Sequence, residues 1–81
     1  MARTVTLFTR ESCHLCHVAA DALERLRAAH AFDLAIVDLD REAPPEKRLA
    51  YDLEVPVIEL DGKKVMKYRV DEARLVRLLE L

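Results

Sequence analysis

Both cysteines of this 81-residue chain lie in one tetrapeptide, Cys13-His14-Leu15-Cys16. A bridge between them would close only a small loop and would constrain the unfolded chain little. The fold must therefore rest on one modest hydrophobic core, because a chain of this length buries only about 60–65% of the surface that its unfolded form exposes. We expect a single domain over residues 1–81, held together by packing.

Composition and charge narrow the class of protein. Apolar residues make up 52% of the chain and charged residues 35%, which is typical of a folded globule and argues against disorder. The formal charge is −2 and the arginines are scattered, so we expect no nucleic-acid partner. No apolar run approaches the roughly 20 residues of a membrane span, and the N-terminal residues do not resemble a signal peptide. These patterns predict a cytoplasmic monomer with no membrane partner.

The first half of the chain has the pattern of a β-α-β unit. A β-branched and aromatic run over residues 4–9 predicts a strand. Apolar residues at steps of three and four predict a helix over 13–29 with Ser12 as its N-cap. A second apolar run over 32–39 predicts a buried strand, parallel to the first. The apolar stripe of the helix is predicted to contain Leu15, Val18, Ala19, Ala22, Leu23 and Leu26.

The second half continues with short elements. In chain order we predict a loop over 38–43, a helix from Pro44-Pro45 to Tyr51, a strand over 55–60, a hairpin turn at Asp61-Gly62, a strand over 64–68, and a last helix that Asp71 caps. The order is β-α-β-α-β-β-α, an α/β fold with a four-stranded mixed sheet flanked by helices. Glu59, in the third strand, is expected to face an edge or solvent, and Tyr51 is expected to pack with its hydroxyl in water.

The position of the cysteines at the first strand–helix junction indicates redox chemistry. A helix N-terminus stabilises a thiolate, and residues i and i+3 lie close enough there to form a disulfide. Cys13 is therefore the predicted nucleophile, and Cys16, one turn deeper, is the predicted resolving cysteine. His14 lies between the two sulfurs, where a protonated imidazole would stabilise the Cys13 thiolate.

Other uses of the same residues stay open. With His17 the stretch reads C-x-x-C-H, the attachment pattern of c-type haem, although no export signal accompanies it. Zinc could take Cys13, Cys16 and one histidine, but a closed site needs a fourth ligand, which a second chain would have to supply. An iron–sulfur cluster between two chains is a further alternative, as is an interaction module without catalysis.

Together with the cysteine motif, the segment Glu54-Val55-Pro56-Val57-Ile58 resembles the glutaredoxins of the thioredoxin superfamily. The similarity runs from about residue 4 to 79 and is strongest to short bacterial glutaredoxin-like proteins with a Cys-His-Leu-Cys type motif. The resemblance implies a thioredoxin-like, glutaredoxin-type fold. It implies a cis bond before Pro56, a Val55 backbone that pairs with substrate, and an Arg10 that receives a glutathione carboxylate.

The resemblance also implies substrates and electron donors. Substrates would be disulfides in proteins or small thiols, and the electrons would come from glutathione, a candidate co-substrate, or from a thioredoxin-reductase-type donor. No bound cofactor and no metal are expected. The sequence departs from many glutaredoxins at residues 66–72, which lack the Gly-Gly step where glutathione docks, so bulky side chains there are expected to obstruct the tripeptide.

Overall fold

Four strands form one mixed sheet flanked by helices in a computed structural model that describes residues 3–81. The elements are β1 (Arg3–Thr9), α1 (His14–Ala29), β2 (Phe32–Asp38), α2 (Leu39–Glu42), α3 (Pro45–Tyr51), β3 (Val57–Leu60), β4 (Lys63–Lys67) and α4 (Glu72–Leu79). The strand order is β2-β1-β3-β4. β1 and β2 are parallel, and the other pairs are antiparallel. The predicted β-α-β unit and mixed sheet are confirmed.

Two clusters of buried side chains hold the layers together. The larger cluster joins the sheet to α1 and α4, and includes Leu7, Leu23, Ile58 and Leu75. The smaller cluster consists of Phe8, Leu39, Ala43 and Val57. No residue of α3 is fully buried. Within residues 3–81 no helix is both long and apolar enough to cross a membrane.

Three local predictions are wrong: the loop over 38–43, the burial of β2 and the extent of the apolar stripe of α1. The predicted loop at 38–43 contains the short helix α2, because the Asp38 carboxylate accepts hydrogen bonds from the amides of Asp40 and Arg41 and caps it. The predicted burial of β2 fails because, among residues 3–81, β1 is the one strand that flanks this edge strand, and Ile36 is 48% exposed.

The apolar stripe of α1 is also shorter than predicted. Leu15 and Val18 are about half exposed, at 52% and 51%, whereas Ala19, Leu23 and Leu26 are buried. The two exposed residues face the segment 68–70 across a cavity of about 200 Å³ and not a packed element. The start of α1 therefore presents apolar side chains at the surface.

The hairpin turn is the one predicted from Asp61-Gly62. Both residues have positive φ, 50° and 85°, as in the two-residue turns that suit twisted strands. The Asp61 carboxylate accepts hydrogen bonds from the Thr4 amide at 2.9 Å and from Arg3 Nε at 2.6 Å. These bonds lower the pKa of Asp61, and the bond from the Thr4 amide contributes most to the shift. They also connect the hairpin to β1.

Candidate functional site

Cys13 and Cys16 form a disulfide at the start of α1, with their Cα atoms 5.2 Å apart. Cys13 is itself the N-cap: its backbone is extended, and its sulfur accepts the Cys16 amide N–H at 3.2 Å. The prediction that Ser12 caps the helix is wrong. Ser12 has a φ of 62° and lies in the turn before the cap. The amide of the third helical residue, which has no acceptor within the helix, is therefore directed at the sulfur of the first cysteine.

The two cysteines differ in exposure. Cys16 is buried, with 3% of its surface exposed, whereas Cys13 is partly exposed. This confirms that the second cysteine is the more buried of the pair. His14 and His17 are both exposed. Within residues 3–81 the His14 ring makes no hydrogen bond, so its influence on Cys13 stays a prediction.

The Val55–Pro56 segment lies at the same end of the sheet. The peptide bond between these residues is cis, as the resemblance implies. Val57, the next residue, pairs with Phe8 near the end of β1, which leads into the loop before Cys13. The Pro56 carbonyl accepts the Tyr68 amide at 2.7 Å. Among the described residues, the Val55 backbone amide and carbonyl have no hydrogen-bond partner.

Comparison with known sequences places the chain in a family. Residues 4–80 match the sequence model of the glutaredoxin-like domain family, DUF836. The chain belongs to this family. A glutaredoxin-like protein of Dictyostelium discoideum is 31% identical over 80 residues, covering 94% of this chain and 74% of that protein. An uncharacterized protein of Mycobacterium tuberculosis is 35% identical over 74 residues, covering 88% of this chain and 76% of that protein.

Solved structures place this glutaredoxin-like domain among thioredoxin folds. A protein of Nitrosomonas europaea superposes with a TM-score of 0.79 at 25% identity, over 98% of this chain and 93% of that one. A thioredoxin of Halobacterium salinarum superposes with a TM-score of 0.65 at 25% identity, over 96% and 72%. The thioredoxin-like, glutaredoxin-type fold predicted from the sequence is confirmed. With the Cys13–Cys16 disulfide it supports a redox role for the domain.

Arg10 lies in the loop of the glutaredoxin-like domain that leads to Cys13. Its guanidinium donates two hydrogen bonds to the Asp40 carboxylate, at 2.9 and 3.0 Å. It also donates to the carbonyl of Asp52 at 2.8 Å and to the carboxylate of Asp52 at 2.7 Å. The hydrogen bonds to these carboxylates raise the pKa of Arg10 above its ordinary value, and the bonds to Asp40 contribute most. The positive charge of Arg10 is thus already paired with two carboxylates of the protein. Its binding of a glutathione carboxylate, which the resemblance implies, stays a prediction.

A buried polar cluster lies between β3 and α3 of the domain. Glu59 is only 2% exposed, so the prediction that it faces an edge or solvent is wrong. Its carboxylate accepts hydrogen bonds from Lys47 Nζ at 2.7 and 2.9 Å and from the Tyr51 hydroxyl at 2.8 Å. Tyr51 therefore does not keep its hydroxyl in water. Burial, and then the bond to Glu59, raise the pKa of Tyr51 to about 12.

Sequence reasoning missed this cluster, although a signal was present. An acid in the middle of an apolar central strand needs a partner. Lys47 and Tyr51 are four residues apart and share one face of α3, a helix without fully buried residues. The helix is held to the sheet by polar contacts, and Tyr51 adds an edge-to-face contact with Phe8 at 5.3 Å between ring centroids.

Another cavity, of about 440 Å³, opens beside Cys16 on the side of β2. Arg41 in its wall is paired with Glu11 at 2.8 Å and with Asp38 at 3.1 Å. No group of three or more histidine, cysteine or acidic side chains within residues 3–81 is arranged to hold a metal ion.

Proposed function

We propose that this glutaredoxin-like domain is a thiol–disulfide oxidoreductase that reduces disulfides in protein or low-molecular-weight substrates. One observation supports this best. A partly exposed Cys13 at a helix N-terminus is joined to a buried Cys16, and a backbone amide donates a hydrogen bond to the sulfur of Cys13. A nucleophilic cysteine needs access and a stabilised thiolate, whereas a resolving cysteine needs only to reach its neighbour.

The chemistry proceeds in two exchanges. The Cys13 thiolate attacks one sulfur of the substrate disulfide, forming a mixed disulfide, and the other substrate sulfur leaves as a thiolate that takes a proton from water. Cys16 then loses its proton to water, and its thiolate attacks Cys13 Sγ. This restores the Cys13–Cys16 disulfide and releases the first substrate sulfur. Two electrons pass from the dithiol to the substrate.

The segment before Pro56 would position the substrate. Val55 has no backbone partner within the described residues and lies at the end of the sheet that carries the cysteine loop. An extended substrate chain can form main-chain hydrogen bonds with such a free residue, as a strand added to a sheet does. Such pairing would hold a disulfide beside Cys13 without requiring a particular side chain.

The electrons must be replaced after each cycle. A low-molecular-weight thiol such as glutathione, or a thioredoxin-reductase-type protein, would reduce the Cys13–Cys16 disulfide through the same two exchanges in reverse. The proposed reaction needs no resident cofactor, because the two cysteines carry the electron pair. His14 would assist by favouring the thiolate of its neighbour when its ring is protonated.

A trapping experiment tests the proposal. In Cys16→Ser the mixed disulfide cannot be resolved, so substrate proteins or glutathione should accumulate on Cys13 and be released by dithiothreitol. Cys13→Ser, the matched control, should trap nothing. Absence of every adduct on Cys16→Ser would contradict the mechanism. Stoichiometric zinc or iron in freshly purified active protein would favour a metal or cluster carrier that uses the same cysteines.

A further inference from the structure

Two surface cavities that the proposed mechanism does not use share Arg69 in their walls. The first, of about 200 Å³, lies between the start of α1 and residues 68–70. The second, of about 400 Å³, follows β4 toward α4. The hydrogen bond from the Tyr68 amide to the Pro56 carbonyl connects this segment to the loop that carries Val55. Leu15, which lies between the two cysteines in the sequence, lines the first cavity, so the surface formed by both cavities begins at the cysteine motif.

The first cavity is lined mainly by apolar side chains. Leu15, which lies between the two cysteines, is 52% exposed, Val18 is 51% exposed and Tyr68 is 46% exposed. Tyr68 also has a φ of 72°, a left-handed conformation that is strained for a bulky residue. Adjoining exposed apolar side chains of this kind mark interaction sites more often than isolated ones do. This part of the surface is suited to an apolar side chain of a partner.

The second cavity is basic. Its charged lining consists of Lys64, Lys67, Arg69, Arg74 and Asp71. Glu54, just outside the lining, pairs with Lys64 at 2.7 Å and with Lys67 at 3.4 Å. Counting Glu54, four positive charges face two negative ones, an excess of two, in a chain whose formal charge is −2. Within residues 3–81 Arg69 has no ion-pair partner, so its charge is available to a ligand.

From these observations we infer that the two cavities form one docking surface for a client protein, at a segment with an apolar residue beside the reactive cysteine and acidic residues further along. The inference rests on the proposed function and names its substrate class. Glutathione fits the surface less well, because it has carboxylates but no apolar side chain to cover Leu15 and Val18. The lysines of this surface have another explanation, because lysines on an edge strand such as β4 discourage pairing with a further strand. Arg69 and Arg74 lie outside β4, so that explanation does not apply to them.

Three peptides of equal length test the inference. Each contains one internal disulfide with a leucine beside the first cysteine, followed by three glutamates, three serines or three lysines. Fully reduced protein is mixed with each peptide, and the rate of peptide reduction is followed in a single turnover. We expect the acidic peptide to react about three- to tenfold faster than the basic one at low salt, because opposite charges speed association. The difference should shrink as salt is added.

Charge reversal at Arg69 supplies the matched comparison. Arg69→Glu should remove the preference for the acidic peptide and leave the rate with the serine peptide unchanged, because Arg69 touches none of the reacting groups. Arg77→Glu is the control, since Arg77 is an exposed arginine of α4 that lines neither cavity. It makes the same change in net charge and should preserve the preference. Leu15→Ser should slow all three peptides, because each carries the leucine.

The outcomes separate the inference from the function on which it rests. If the wild-type protein reduces none of the peptides and no oxidised glutathione, the proposed function fails. If it reduces acidic and basic peptides at equal rates, or if Arg69→Glu and Arg77→Glu behave alike, the docking surface is wrong and the function stands. If oxidised glutathione outcompetes the acidic peptide at equal concentration, the occupant is the tripeptide and the inference is overturned.

Discussion

Arg10 and Asp52 are joined by two hydrogen bonds, one to the backbone carbonyl at 2.8 Å and one to the carboxylate at 2.7 Å. Arg10 precedes Cys13 by three residues, and Asp52 precedes Val55 by three residues. The pair therefore connects the loop that leads to the nucleophile with the turn that leads to the proposed substrate-pairing residue. The planar guanidinium of Arg10 also binds Asp40 in α2 through two hydrogen bonds. One side chain therefore connects the loop before Cys13, the helix α2 and the turn before Val55.

Replacing Arg10 should therefore affect turnover through positioning. Arg10→Lys keeps the charge but cannot form the forked bonds, so we expect kcat/KM for a disulfide peptide to fall by up to about tenfold, mainly through KM. Steady-state kinetics would measure this. Arg27→Lys is the control, because Arg27 forms a surface pair with Glu24 far from these segments in sequence. Equal kinetics for both variants would contradict the positioning role.

The buried carboxylate of Glu59 makes Lys47 important for stability. Lys47→Met removes the cation and leaves a buried charge with only the Tyr51 hydroxyl, which should lower the free energy of unfolding by about 2–4 kcal/mol. Combining it with Glu59→Leu should recover most of the loss, because the uncompensated charge is then gone. Urea denaturation of the single and double variants, with the exposed Lys63→Met as control, would measure the difference. Loss of under about 0.5 kcal/mol in Lys47→Met would show that the pair is unimportant.

Tyr51 provides a pH test of the same cluster. Burial and the bond to Glu59 raise its pKa from 10.0 to about 12. The folded state thus holds the phenol proton more tightly than the unfolded state does. The resulting stability is present below pH 10.0 and is lost as the pH rises toward about 12. Titration of tyrosinate absorbance should show a component near pH 12 that Tyr51→Phe abolishes. If Tyr51→Phe leaves the titration above pH 10.0 unchanged, the assignment is wrong.

The helix cap formed by Cys13 has a consequence for stability in the reduced state. A serine hydroxyl can accept the Cys16 amide that the Cys13 sulfur accepts here, whereas an alanine cannot. Reduced Cys13→Ala should therefore be less stable than Cys13→Ser by about 1 kcal/mol. Thermal unfolding of the two variants under reducing conditions makes the comparison, since neither can form the disulfide. As a control, Ser12→Ala should lower the stability of the reduced protein by less than this, because Ser12 precedes the cap.

Most of the element order was predictable because its causes are local. The periodicity of α1, the Asp61-Gly62 turn, the proline start of α3 and the Asp71 cap each depend on residues within a few positions of one another. The redox pair was predictable for the same reason: a cysteine at a helix start is next to free amides whatever the rest of the chain does.

Two assignments failed for local reasons, since the Asp38 cap that starts α2 and the Cys13 cap of α1 each involve residues within three positions. The other failures depend on contacts between different elements of the fold. The sequence alone could not decide that Glu59 meets Lys47 and Tyr51, because this depends on how α3 packs on β3. Nor could it decide that β2 lies at an edge, because this follows from the strand order of the folded sheet. It also could not show that Leu15 and Val18 stay exposed, since this depends on how residues 68–70 cross the start of α1. Periodicity identifies the apolar face of an element, but only the packed tertiary structure determines what covers that face.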